Sequence, residues 1–154
     1  MISPSLEVKR LGSQELRRIE PLGRSFASEV NLFGGYDPEI FELGWKPLMD
    51  AGLAAVFYTE DGVGNLTAML GAAFIPDLYC GFPTALAQWV YVDPAHRRTS
   101  HFVRLFNAFE AEGAKRNTRK YFVGHKVKYH SETMKKFFER RGYEPGEVLY
   151  WRNV

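Results

Sequence analysis

The sequence predicts a mixed α/β (α+β) fold, a central sheet with helices on both faces, in one domain over residues 1–154. Three observations carry this. The apolar period switches between two and 3.6 along the chain, giving the order β–α–α–β–β–β–α–β–α–β. Two strand runs, AAVFY from Ala54 and LGAAFI from Leu70, are almost continuously apolar, so both of their faces need cover. And 154 residues, 45% hydrophobic and 25% charged, suit one soluble domain with a sizeable core.

Leu6 and Val8 alternate with Glu7 and Lys9 as a short half-buried strand. Ser13 can cap a helix whose apolar stripe is Leu16, Ile19, Leu22, Phe26 and Val30. Pro21 must kink or divide it, since a proline in a helix interior costs about 3 kcal/mol. Asn31–Tyr36 is a glycine-bearing loop with two aromatics. Asp37-Pro38-Glu39 then starts a second helix by capping residue, proline and acid, reaching Pro47, where it can break. Strands follow over Leu53–Tyr58 and Leu66–Ile75, joined by the turn cluster Asp61–Asn65. Thr84–Val92 is the central strand and Tyr121–Val127 the next. Ser131–Arg140 is a helix with Met134, Phe137 and Phe138 on one face, and Val148–Trp151 is a last strand.

The stretch Gln88–Glu112 organises the rest. Trp89, Val90, Tyr91 and Val92 end a strand that Asp93-Pro94 stops. After Arg97-Arg98-Thr99-Ser100, the residues Phe102, Leu105, Phe106 and Phe109 form the stripe of an amphipathic helix. A helix N-terminus offers unpaired N–H groups and partial positive charge, so two arginines and two hydroxyls there make a phosphate cradle. An ordinary strand–helix junction with solvated arginines accounts for the same residues equally well.

Composition narrows the partners. The single cysteine, Cys80, rules out an intrachain disulfide and a cysteine-based zinc site and fits a reducing compartment. No apolar run reaches membrane-spanning length and the chain opens on no signal peptide, so a cytoplasmic protein is expected. Residues 1–96 carry a charge balance of −6 and residues 97–154 one of +8, and the basic half begins at the loop. That suits a polyanionic ligand, while a net charge of +2 is low for a nucleic-acid binder. His96–His101 and His125–His130 are spaced i, i+5, not the i, i+4 of two ligands on one helix face, so no metal is expected.

Val92-Asp93-Pro94-Ala95-His96-Arg97, the following helix with Leu105, and Phe137-Phe138-Glu139-Arg140-Arg141-Gly142-Tyr143 together resemble the GNAT superfamily of acyl-CoA N-acyltransferases. The wording HRR, GHKVK and FFERRGYEPGEVLYWRNV is similar to GNAT-like proteins encoded by phages. The resemblance covers about residue 50 to the end. It implies a mostly antiparallel sheet of six to seven strands, in which Thr84–Val92 and Tyr121–Val127 are a parallel pair that splays apart. Acetyl-CoA is the implied co-substrate. Its pantetheine would bond the backbone of Val90, Tyr91 and Val92, and its pyrophosphate would lie on Arg97, Arg98, Thr99, Ser100, His101 and Phe102, with Ser131 and Phe138 beside the cofactor. Ser100 and Phe102 depart from the family's small Gly or Ala.

The chemistry is also altered. Acyl transfer to an amine needs a base for the ammonium proton, donors for the thioester oxygen and an acid for the thiolate. At positions where the family often has its base stand Leu86 and Gln88, and Phe138 replaces its tyrosine acid. Gln88 can still orient a water. His125 and Tyr129 are the substitute candidates, although a packed strand histidine and an exposed loop aromatic explain them more readily. Tyr91, opposite in alternation to Gln88, is expected in the core. Two functions follow: an N-acetyltransferase acting by direct attack in a ternary complex on a small-molecule or protein amine, or a catalytically inactive GNAT-fold module. The protein would be a monomer or homodimer. By the same resemblance, Phe33, Tyr36 and Trp45 lie on the acceptor side.

Overall fold

The computed structural model describes residues 6–126, 130–147, 149, 150 and 152–154. Contacts divide the chain into two compact units, residues 1–122 and 123–154. The first unit holds β1 (Lys9–Arg10), a 3-10 helix (Ser13–Ile19), α1 (Glu20–Glu29), α2 (Pro38–Asp50), β2 (Ala54–Glu60), β3 (Leu66–Pro76), β4 (Pro83–Val92), a 3-10 turn (Pro94–His96), α3 (His101–Lys115) and β5 (Lys120–Phe122). The second holds α4 (Ser131–Arg140). The sheet order is β1-β2-β3-β4-β5, antiparallel except for the parallel pair β4 and β5.

The predicted class and the parallel pair are present, but the strand count is lower. Among the described residues the sheet has five strands rather than six or seven. The first strand is two residues, Lys9–Arg10, because only these pair with Tyr58 and Phe57. The strand expected over Tyr121–Val127 is Lys120–Phe122; residues 123–126 are not strand, and Val127 lies outside the described residues. Of the last expected strand, Leu149 and Tyr150 are irregular, and Val148 and Trp151 lie outside the described residues.

Proline chemistry explains two helix outcomes. Pro21 falls in the first turn of α1, where its missing N–H has no intrahelical partner to lose, so the stretch divides into a 3-10 helix and α1. Gly12, not Ser13, precedes that 3-10 helix, and Glu15 reaches back to its N–H at 3.1 Å. Asp37 caps α2 by accepting from Glu39 N and Ile40 N. That helix continues through Pro47 to Asp50.

Both sheet faces are covered. Val56, Tyr58, Met69 and Tyr91 pack with Leu16, Ile19 and Leu22, and Phe41, Trp45 and Met49 of α2 lie against that cluster. On the other side α3 packs on β2, β3 and β4. Its Leu105, Phe106 and Phe109 are fully buried, with Phe109 6.2 Å from Phe74 and 5.7 Å from Tyr121. Two covered faces are why β2 and β3 read as unbroken apolar runs.

Candidate functional site

The site begins with a fault in the sheet. Gly71 pairs with Trp89, but the next residue of β3, Ala72, pairs with Ala87, so Gln88 is an extra residue in β4. This is a β-bulge, which bends a strand and re-aims its side chains. Gly71 permits it: a Cβ there would come within 2.2 Å of the Trp89 ring. Gln88 is exposed. On the opposite edge, pairing between β4 and β5 covers only Thr84–Leu86 with Lys120–Phe122. Beyond Leu86, that edge of β4 has no strand partner among the described residues. A strand edge with unpaired backbone groups can take an extended polar chain.

β4 leads directly into the basic loop. Asp93 accepts from Ala95 N at 2.9 Å and stops the strand in the 3-10 turn. Arg97 is pinned: its Nε donates to the Val92 carbonyl at 3.0 Å, its Nη2 donates to Glu29 Oε2 at 2.5 Å, and its guanidinium lies 5.4 Å from the Tyr91 ring centroid. Arg98 takes a left-handed backbone, φ 64°, and its exposed side chain makes no ion pair among the described residues. Thr99 Oγ1 bonds the His96 carbonyl at 2.6 Å and His101 Nδ1. Ser100 precedes α3 without capping it, accepting instead from Arg104 Nε at 3.0 Å. The first turn of α3 therefore has no side-chain cap, the condition in which a helix end accepts an anion.

Burial sorts the expected contacts. His101 is buried, 5.4 Å ring to ring from His96, and burial, with the neighbouring His96 and Arg104, pulls its pKa below the ordinary histidine value. Phe102 is half-buried with its ring 4.8 Å from Phe106, in the helix stripe as its spacing implies. Tyr91 is in the core: Phe26 is 5.8 Å away edge-on, and its hydroxyl donates to Glu29 Oε2 at 2.8 Å. Burial and that bond push its pKa up to about 12. Tyr91 thus has only its backbone to offer a ligand, as do Val90 and Val92, and the Val92 carbonyl already accepts from Arg97.

Of the aromatics expected on the acceptor side, Tyr36 covers Gly23 and lies 5.6 Å from Phe41, while Trp45 lies 5.7 Å from Phe41 and 5.1 Å from Trp89. Phe33 is 72% exposed.

The remaining expected residues belong to the second unit. Phe138 is buried there among Phe137, Tyr143 and His125, at 5.4, 5.6 and 6.3 Å. The His125 ring stacks on it and stays exposed. Ser131 is the first residue of α4. Tyr129 lies outside the described residues. Sequence reasoning missed Glu29, which is 68 residues from Arg97 and carries no motif. It also missed the bulge, for which Gly71 inside a strand was the available signal. Among the described residues no group of three His, Cys, Asp or Glu could hold a metal ion, and no helix is long and apolar enough to cross a membrane.

No family model and no curated protein matches this sequence. Solved structures do match in fold. An aminoglycoside acetyltransferase from an uncultured soil metagenomic sample superposes with a TM-score of 0.79 at 17% identity, covering 100% of this chain and 99% of that one. The ribosomal-protein-alanine N-acetyltransferase of Brucella melitensis biovar Abortus 2308 gives 0.73 at 15%, covering 97% and 99%. An aminoglycoside acetyltransferase in complex with the bisubstrate analogue CoA-S-monomethyl-acetylneamine gives 0.72 at 16%, covering 98% and 99%.

Proposed function

We propose that this chain, whose fold is that of the GNAT acetyltransferases, is an N-acetyltransferase using acetyl-CoA as co-substrate and an amine as acceptor. The observation that carries the reading is the edge of β4 beyond Leu86, without a strand partner among the described residues and running from the bulge at Gln88 into the uncapped start of α3. The pantetheine amides would bond that edge at Gln88–Val92. The pyrophosphate would meet the N–H groups of the Arg98–Phe102 turn and the Arg98 guanidinium, with charge-assisted bonds. In this scheme Arg97 shapes the loop and does not touch phosphate.

Transfer is by direct attack in a ternary complex. The amine nitrogen forms a bond to the acetyl carbon, the carbon–sulfur bond breaks, and the thiolate leaves with CoA. An ammonium acceptor must lose one proton before attack and its nitrogen a second as the amide forms, while the thiolate gains one and the other is released. Gln88 can hold a water or the amine but cannot take the proton, and Phe138 has none to give. In this scheme solvent carries these protons. Those same absences support a second reading, a GNAT-fold module that binds CoA without turning it over.

Thermal stabilisation by acetyl-CoA, followed by a free-thiol assay with pooled amines, tests both. At 100 times the dissociation constant, a ligand of the native state adds about 2.7 kcal/mol. A stabilised protein that releases thiol bears the enzyme reading out. Stabilisation without thiol release favours the module, and no stabilisation removes both.

A further inference from the structure

We infer that Glu29 is a positioning residue of the cofactor loop, acting through Arg97 to tie the C-terminal end of α1 to the turn that receives the phosphates. This rests on the cofactor reading above.

Glu29 is the last residue of α1, where the helix dipole disfavours a carboxylate. The helix itself gives no reason for an acid there, but the loop does. One oxygen, Oε2, accepts from both Arg97 Nη2 at 2.5 Å and the Tyr91 hydroxyl at 2.8 Å. Arg97 is held a second time by the carbonyl of Val92, the last residue of β4. The guanidinium therefore joins three things: the end of β4, the end of α1 and the core tyrosine between them. With Arg97 fixed, the chain reverses at Arg98 in a left-handed conformation and delivers Thr99 and Ser100 to the start of α3. A non-glycine residue holds such a conformation only where its surroundings over-determine it. The Arg97 anchor is one of those constraints.

The pair is not there chiefly for stability. The Arg97 and Glu29 side chains are 33% and 34% exposed, and ion pairs that wet contribute little to folding. Its geometric consequence is larger than its energetic one. Because α1 runs on into the Asn31–Tyr36 loop, the bridge also joins the segment bearing Phe33 and Tyr36 to the phosphate turn.

A double-mutant cycle on CoA binding tests this. CoA affinity would be measured by calorimetry for the wild-type chain, Glu29→Gln, Arg97→Gln and the double variant, with a melting temperature for each. The expected result is about tenfold weaker binding in each single variant, no further loss in the double, and melting temperatures close to wild type. A merely structural pair would move melting temperature and leave affinity alone. Unchanged affinity in Glu29→Gln, or additive losses in the double variant, overturns the inference while the cofactor reading stands. A wild-type chain that binds no CoA removes the cofactor reading and the inference with it.

Discussion

Arg97 and Arg98 are adjacent, yet one guanidinium is held by a carboxylate and a carbonyl while the other is exposed. If Arg98 is the free phosphate contact, Arg98→Gln should weaken CoA binding about tenfold in dilute buffer and less at high salt, because screening shortens the reach of an exposed charge. Equal affinity at both ionic strengths would mean that the contact lies elsewhere. Tyr91 supplies a second test at this scale. Burial and the bond to Glu29 push its pKa up to about 12 from the ordinary tyrosine value of 10, so folding favours the neutral phenol. That contribution is present in full below pH 10 and is lost as pH rises through 12. Tyr91→Phe should lower stability at pH 8 and show a shallower loss between pH 10 and 12, read from denaturant melts across that range. The two phenylalanines of α3 differ by burial. Phe106→Ala should cost about 3–5 kcal/mol as a fully buried ring, and Phe102→Ala distinctly less. A Phe102→Ala variant that is no less stable but binds CoA more tightly would place that ring in the groove instead.

Among the elements, the bulge decides the geometry of β4. Gly71→Ala would push a methyl into the Trp89 ring, so it should destabilise the fold and shift the tryptophan emission. Native-like stability and emission would show that Trp89 does not lie on Gly71. The strands and helices of the first unit were legible because their signals are local: Asp37-Pro38-Glu39 names its own helix start, and the Phe102–Phe109 spacing names its own face. The short β5 was not, since Tyr121, Phe122 and Val123 have strand-forming side chains whatever the pairing beside them. Pro47 misled for a similar reason. Proline lowers helix propensity locally, while the packing of Phe41, Trp45 and Met49 on the sheet is a tertiary effect that the sequence does not display. The Glu29–Arg97 bridge was illegible altogether, because nothing local marks a pair 68 residues apart.

At the scale of the molecule, what matters is what the proposed chemistry lacks. A carboxylate or imidazole base near the amine would set a rate plateau near neutral pH. Gln88, the exposed residue of the bulge, cannot be that base, and Phe138 is buried among three rings in its own unit with no proton to donate. Transfer should then draw on the fraction of acceptor already deprotonated. The rate at saturating acetyl-CoA should climb about tenfold per pH unit toward the acceptor's own pKa, near 10.4 for a lysine-like amine. Phe138→Tyr should be tolerated if its one added oxygen finds room, and it should raise the rate only if the thiolate comes within reach. The profile is measured by thiol release from pH 6 to 10. A bell-shaped curve centred near pH 7 that His125→Ala abolishes would assign the base to His125 and refute solvent-carried proton transfer. A profile that stays linear in His125→Ala would leave the histidine a packing partner of Phe138, on which its ring stacks at 6.3 Å.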